Sequence, residues 1–120
     1  MKKILSIAVL LIALTGYSQS LSQKFNIKTY AKQQTDMIQS ALNLDQATAD
    51  KVYKLNFDKA RAIHKRIILA EKRGQTQGKT LDQVIKEVEK EAERASGYQM
   101  FMKSVLGDKY DAFVSKFGNR

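Results

Sequence analysis

The chain has no cysteine, no proline and no tryptophan, and it has only one histidine among its 120 residues. Without cysteine it forms no disulfide, no thiolate zinc site and no cysteine nucleophile. A lone histidine excludes metal sites built on paired histidines and argues against a catalytic triad. The lack of proline, together with only six glycines, argues against a turn-rich β-sandwich and favours long helices.

The beginning of the chain has the anatomy of a secretory signal peptide. Lys2 and Lys3 supply a positive start, an apolar run follows over residues 4–14, and the residues after it are small and polar. A helix of this length spans about 16 Å, which is too short for a hydrocarbon core of about 30 Å. We therefore predict a signal peptide at 1–19, cleaved near 18–20, and export to the periplasm or the exterior. The alternative is an N-terminal helix of the core.

The predicted mature chain, residues 20–120, carries its charge unevenly. Residues 20–79 hold 12 basic and 5 acidic side chains, whereas residues 80–120 hold 7 of each. A cationic half next to a balanced half favours anionic partners. Export and the lack of a nucleic-acid-binding signature argue against DNA and RNA, so we predict no nucleic-acid partner.

Apolar residues recur at helical spacing through most of the mature chain, and no segment predicts a strand. We expect an all-α fold of a single domain, with four helices, two short and two long, in a thin antiparallel helical hairpin or bundle. The third helix is expected to continue, or to kink slightly, through Gly97. The predicted segments are a loose arm at 20–27, helices at about 28–42, 45–73, 80–106 and 108–117, and a flexible linker at 74–79.

Short signals mark where these helices begin. Asp45 is a strong N-cap, and Thr80 with Gln83 has the spacing of a capping box. The predicted helix-start pairs are Leu44 with Asp45, Thr80 with Gln83, and Leu106 with Asp108. We interpret all of them as structural positions.

No arrangement typical of catalysis or metal binding occurs in the sequence. His64 has no second ligand at helical spacing, and there is no Glu-x-x-His pair, no Gly-x-Ser-x-Gly elbow and no phosphate loop. We predict that the protein is not an enzyme and holds no metal or cofactor. Asn56 interrupts the apolar stripe of the second helix. It is either a partly exposed or hydrogen-bonded residue, or a polar residue that fixes helix register.

The long second helix carries the candidate binding surface. Cations recur there at offsets of 0, 7, 11 and 18, which places them along one side of the helix. They are Lys54, Arg61, Lys65 and Lys72, and Arg66 widens the basic region. The aliphatic residues beside them, too many for one narrow core stripe, are Ile67, Ile68 and Leu69. This side is either a solvated face or a surface that attracts and briefly holds unfolded or acidic partners.

Two helix-start segments resemble the Leu-Thr-x-x-Gln motifs of the Spy/CpxP-type helical envelope proteins. They are Leu44-Asp45-Gln46-Ala47-Thr48, where Asp45 replaces the Thr, and Leu106-Gly107-Asp108-Lys109-Tyr110. A signal peptide, about 100 mature residues, a basic charge and no cysteine fit the same family. The resemblance implies a thin, curved helical dimer with a positively charged concave face. It also implies ATP-independent protection of unfolded envelope proteins, or sensing of envelope stress.

Two functions are expected from the sequence. The first is an exported holding chaperone that binds unfolded or acidic envelope proteins, as a homodimer where the resemblance holds. The alternative is a structural or interaction module that binds an anionic envelope or membrane surface, or a dedicated protein partner. An enzyme inhibitor is a weaker third hypothesis. It needs a rigid inserted loop, and the only candidate loop, at 74–79, is expected to be flexible.

Overall fold

The computed structural model describes residues 20–118, so the predicted signal peptide at 1–19 lies outside the described residues. The described part of the chain contains helices and turns but no strand, which confirms the all-α prediction. Its helices are α1 (Leu21–Lys24), α2 (Ile27–Leu42), α3 (Gln46–Lys72), α4 (Leu81–Ser96), α5 (Tyr98–Leu106) and α6 (Tyr110–Phe117), and a 3₁₀ turn (Gly107–Lys109) joins the last two.

Local signals set the ends of the longer helices. Asp45 accepts a hydrogen bond of 2.8 Å from the backbone N–H of Thr48 and so begins α3. Thr80 and Gln83 form the predicted capping box at the start of α4. Asn43 adopts the left-handed conformation that ends α2. These boundaries lie close to those predicted from the sequence because the caps are local.

α3 is the central helix, and α2, α4 and α5 all pack against it. Its 27 residues span about 40 Å and contribute to two apolar cores. The first core includes Ile38, Val52, Tyr98, Met102 and Phe113. The second core includes Phe25, Ile63, Ile67, Val84 and Ala92. The central helix therefore joins two packed regions that follow one another along its length.

The third predicted helix is divided in two, so the prediction of one helix running through Gly97 is wrong. Gly97 has a left-handed backbone with φ 68°, and it ends α4 and begins α5. Its N–H donates to the carbonyl of Arg94, and its own carbonyl accepts from the N–H of Phe101. A left-handed residue cannot continue an α-helix, so α4 and α5 are separate segments.

The prediction of a loose arm at 20–27 is also wrong, because these residues are held against α3. The backbone N–H groups of Leu21 and Ser22 donate to the carboxylate of Glu71, at 2.9 and 3.4 Å. The ring of Phe25 is buried in the second core. These partners lie far along the chain, so no local period in the sequence indicated them.

The chain reverses between α3 and α4 over residues 73–80, the region of the predicted linker. Gly74 and Gly78 adopt left-handed backbone conformations there, with φ of 68° and 74°. Glycine takes these angles without steric cost, so the turn suits this sequence. Of the helices in residues 20–118, none has the length and apolar character needed to pass through a membrane.

Candidate functional site

α3 turns one face toward the other helices and the opposite face toward solvent. The inward face consists of buried residues: Ala49, Val52, Asn56, Lys59, Ala60, Ile63 and Ile67. Because a helix repeats every 3.6 residues, positions offset from this stripe by half a turn point away from α2, α4 and α5. We call that opposite side the outer face of α3.

The predicted cations lie along this outer face. Lys54, Arg61, Lys65 and Lys72 are all exposed. The helix rises about 27 Å between the first and the last of them. We call these four residues the cationic row. The spacing in the sequence therefore placed them correctly on one side of one helix.

The positive charge of the cationic row is not neutralised by the protein's own carboxylates. Within residues 20–118, none of its four side chains forms an ion pair with another residue. The ion pairs that do form join Lys32 with Asp36, Lys59 with Glu93, Arg66 with Glu91, and Lys79 with Glu87. None of these four carboxylates reaches the row, so its cations face the solvent. The exposed carboxylate of Asp58 lies on the same side of α3 and lowers the net charge there without forming an ion pair.

The aliphatic part of the predicted surface is much smaller than expected. Ile67 is fully buried in the second core, so it is not a surface residue, and its assignment to the binding surface is wrong. Ile68 is half-buried. Leu69 is 46 % exposed, and it lies between Lys65 and Lys72 at offsets of four and three residues. The outer face is therefore cationic, with a single exposed leucine in its second half.

Arg66 leaves the outer face and turns toward α4. Its side chain is 27 % exposed, and its Nε lies 3.5 Å from Oε2 of Glu91. This Nε is buried and has no hydrogen-bond partner among the described residues. A guanidinium with five N–H donors is therefore held at its place by one long ion pair.

A groove opens beside Arg66 on the seam between α3 and α4. Its volume is about 290 Å³, and small side chains, Ala62 and Ala95, form part of its wall. Its charged lining comes from α3 alone: Asp58, Arg61, Lys65 and Arg66. We call this feature the basic groove. Two members of the cationic row thus contribute to a concave site as well as to the outer face.

A second basic and apolar surface occurs at the junction of α4 and α5, and we call its residues, Lys90, Arg94, Met100 and Phe101, the α4–α5 patch. Met100 is 69 % exposed and Phe101 is 47 % exposed. Met100 lines a shallow pocket with two cations, Lys90 and Arg94, and with Glu93, Gly97 and Gln99. The sequence did not assign Met100 or Phe101 to the binding surface, because their exposure depends on how the helices pack.

Asn56 is fully buried and hydrogen-bonded, which confirms the interpretation of a polar residue with a partner. It accepts a bond of 2.6 Å from the hydroxyl of Tyr98 and donates one of 2.9 Å to Oγ1 of Thr35. The same hydroxyl of Thr35 donates to the carbonyl of Ala31 at 2.7 Å. These bonds connect α5, α3 and α2.

Sequence reasoning missed Lys59, which is 2 % exposed. Its Nζ lies 3.4 Å from Oε2 of Glu93 and 4.3 Å from the centre of the Tyr98 ring. The sequence did carry a signal, because Lys59 follows Asn56 by three residues and precedes Ile63 by four, the spacing of the apolar stripe. Lys59 acts within the bundle and takes no part in the exposed basic surface.

All of the predicted helix-start residues except Asp108 either cap a helix or pack in the core. Leu44 and Leu106 are buried. Hydrogen bonds from the hydroxyl and the backbone N–H of Thr48 hold the pKa of Asp45 below its ordinary value of 3.8. Asp108 lies in the 3₁₀ turn, and no side chain caps α6, so Asp108 does not start that helix.

His64 is half-buried and stands near the backbone of α1. Its Nε2 lies 3.2 Å from the carbonyl oxygen of Ser22, and its ring stacks on Phe25. His64 therefore lies at the boundary between the core and the solvent. Within residues 20–118, no group of three or more His, Cys, Asp and Glu side chains has the arrangement of a metal site.

No family model, no curated protein and no solved structure matches this chain. The resemblance to Spy/CpxP-type proteins therefore stays a prediction from the sequence. The structural features that bear on function are the cationic row, the basic groove and the α4–α5 patch.

Proposed function

We propose that this protein is an interaction module that docks through its cationic row onto a membrane surface rich in anionic lipid. The observation that carries the proposal is a set of four exposed cations along about 27 Å of one helix, none of which pairs with a carboxylate of residues 20–118. Because the four side chains share one face of α3, they can approach a plane together. Each Lys or Arg near an anionic membrane surface contributes about 1 kcal/mol.

Leu69 supports a lipid surface over a dedicated acidic protein. It is exposed between Lys65 and Lys72, and Ile68 beside it is half-buried. An apolar side chain between cations suits the boundary between headgroups and acyl chains, where charge attracts and apolar contact holds. The predicted export is part of this proposal, because it places the protein where envelope membranes present their outer surfaces.

Vesicle co-sedimentation tests the proposal. The protein should bind vesicles of phosphatidylglycerol and phosphatidylcholine but not phosphatidylcholine alone, and binding should weaken as salt rises. Replacing the cationic row by Gln at Lys54, Arg61, Lys65 and Lys72 should weaken binding by about tenfold or more. A matched control carries Gln at four exposed cations outside the row: Lys86, Lys90, Arg94 and Lys103.

The control variant should keep its affinity within about twofold, since it loses the same charge from other faces. Equal losses in both variants would mean that net charge alone drives binding, and the proposed role of the row would be wrong. Failure of the wild-type protein to bind anionic vesicles at low salt would also overturn the proposal. Binding of a folded acidic protein in place of vesicles would point to the dedicated partner.

A holding chaperone is the second candidate, and the α4–α5 patch favours it. Met100 lines a pocket with Lys90 and Arg94, and Phe101, the next residue in the chain, is exposed, which suits weak contact with varied unfolded chains. Light scattering of an aggregating client tests it. Met100→Gln should reduce suppression of aggregation, whereas Met37→Gln, at an exposed position on α2, should not. Equal effects, or no suppression by the wild-type protein, would exclude this function.

The thin, curved dimer implied by the resemblance belongs to this second candidate. Two copies cannot pair through the outer face of α3, because the cationic rows would then face each other. A dimer would have to form through another side of the protein. The concave cationic face would then contain the cationic rows of both copies, without contact between them. The mass of the protein in solution tests this arrangement, and a monomer at working concentrations would contradict it.

A further inference from the structure

We propose that the basic groove binds one phosphate monoester group, and that the source of this group is a lipid headgroup. The inference rests on the proposed function and gives it a specific site. The outer face would attract the anionic surface, and the groove would select one kind of headgroup from it. The groove joins the cationic row directly, since Arg61 and Lys65 belong to both.

The position of the groove lets three cations point into one concavity. Arg61, Lys65 and Arg66 stand within about one and a half turns of α3, so their side chains leave the helix toward neighbouring points. The side chains of Ala62 and Ala95 are small, so they leave space in the groove. A volume of about 290 Å³ admits a phosphate group with its nearest waters.

Most N–H donors of the groove have no acceptor within residues 20–118. Neither Arg61 nor Lys65 forms an ion pair within residues 20–118. Arg66 has only the 3.5 Å contact of its Nε with Glu91, and that buried Nε lacks a hydrogen bond in the described part of the chain. The other N–H groups of Arg66 have no acceptor in the described part of the chain, so they are available to an anion in the groove.

The number and kind of donors favour a monoester over a diester. A phosphate monoester has three non-ester oxygens and a charge between −1.5 and −2 near pH 7, whereas a diester has two such oxygens and one charge. Guanidinium groups bind phosphate oxygens in pairs, and lysine adds a point charge. Arg61, Lys65 and Arg66 together can therefore satisfy the extra oxygen and the extra charge.

Asp58 gives the proposal an independent test, because its carboxylate also lines the groove. A carboxylate beside a bound phosphate repels it. Asp58→Asn should therefore raise affinity for vesicles of phosphatidic acid by about threefold more than for vesicles of phosphatidylglycerol, while it removes no cation. A groove that binds no phosphate group would show the same gain for both lipids, because the loss of one negative charge favours any anionic surface.

The main experiment compares vesicles of phosphatidic acid with vesicles of phosphatidylglycerol, adjusted to the same surface charge. The wild-type protein should prefer phosphatidic acid by about fivefold or more, because the groove adds charge-assisted hydrogen bonds. Arg66→Gln should abolish the preference, and Arg66→Lys should recover only part of it. The control Lys54→Gln, in the row but outside the groove, should weaken binding to both lipids equally.

The outcomes separate this inference from the proposed function. Binding to phosphatidylglycerol without a preference for phosphatidic acid would overturn the groove and leave the proposed function intact. No binding to either lipid would overturn both. Titration with soluble glycerol 3-phosphate identifies the source of the group. Binding of the soluble monoester that is as tight as binding to the vesicles would assign the groove to a free phosphate compound, and the lipid assignment would be wrong.

Discussion

Tyr98 on α5 donates a hydrogen bond of 2.6 Å from its phenol to Oδ1 of Asn56, a fully buried residue of α3. Through Asn56 the connection continues to Thr35 on α2. A polar chain thus crosses three helices inside an apolar stripe. Because the groups in it bond to each other, the chain fixes how the helices sit against one another without the cost of unpaired buried groups.

Asn56→Ala should lower the free energy of unfolding by about 2–4 kcal/mol, because it removes two buried hydrogen bonds and leaves a small cavity. Urea denaturation followed by circular dichroism measures this loss. The triple variant Thr35→Val, Asn56→Leu and Tyr98→Phe should lose less than Asn56→Ala alone, since matched apolar groups leave no polar group behind. A larger loss in the triple variant would show that unpaired buried polar groups are not what destabilises Asn56→Ala.

The ion pair of Lys59 and Glu93 gives a second prediction about the interior. Lys59 is almost completely buried, whereas the side chain of Glu93 is partly exposed. Glu93→Gln weakens the compensation of a buried charge and should destabilise the protein by about 1–3 kcal/mol. Lys59→Met keeps the aliphatic stem and removes the charge, so it should cost less. The urea midpoints of the two variants give the order of their stabilities. A lower midpoint for Lys59→Met than for Glu93→Gln would contradict this prediction.

The parts of the fold that the sequence predicts are those with local causes. The start of α3 at Asp45 and the start of α4 at Thr80 each depend on a residue three positions away, so the sequence alone predicts them. The anchoring of residues 20–25 depends on Glu71, which lies about fifty residues further along the chain. The break at Gly97 depends on one residue's left-handed backbone, and an isolated glycine leaves that choice open.

The candidate site shows the same division. Helical spacing alone placed Lys54, Arg61 and Lys72 on one face. Whether their charge is neutralised depends on where the carboxylates of α4 pair, and these pair with cations outside the row. Burial of Ile67 and exposure of Leu69 depend on which flanks of α3 are covered. Only the packing of α2, α4 and α5 decides that, so the sequence left it unresolved.

Residues 20–25 should contribute strongly to stability, contrary to the loose arm that the sequence predicts. Phe25 is buried in the second core, so Phe25→Ala should lower the free energy of unfolding by about 3–5 kcal/mol. Urea denaturation measures this effect. Lys24→Ala, at the exposed end of α1, is the control and should stay within about 0.5 kcal/mol of the wild-type protein. Equal, small effects would show that the segment is detached in solution.

The cap of α3 predicts a pH dependence of stability. Bonds from Thr48 hold the pKa of Asp45 below its ordinary value of 3.8, so the folded state favours the carboxylate. This contribution is complete above the unfolded pKa and is lost as the pH falls through the lower, folded pKa. Asp45→Asn still caps the helix but cannot ionise.

The test of the cap is the difference in unfolding free energy between the wild-type protein and Asp45→Asn, measured as the pH falls. Other carboxylates contribute equally to both proteins, so they cancel in the difference. The wild-type advantage should stay constant from neutral pH to about pH 4 and shrink below it. An advantage that stays unchanged to about pH 2 would show that ionisation of Asp45 does not stabilise α3.

Gly97→Ala separates the observed break from the continuous helix that the sequence predicts. In a continuous helix, Ala is more stable than Gly by about 1 kcal/mol. In the left-handed junction, Ala costs about 1–2 kcal/mol, and its Cβ would lie 3.2 Å from the ring of Phe101. We therefore expect a destabilised protein in urea denaturation. Gly78→Ala is the matched control, since its φ is 74° and no atom lies within 4 Å, so it shows the backbone cost alone. A stabilised Gly97→Ala protein would mean that α4 and α5 form one helix in solution.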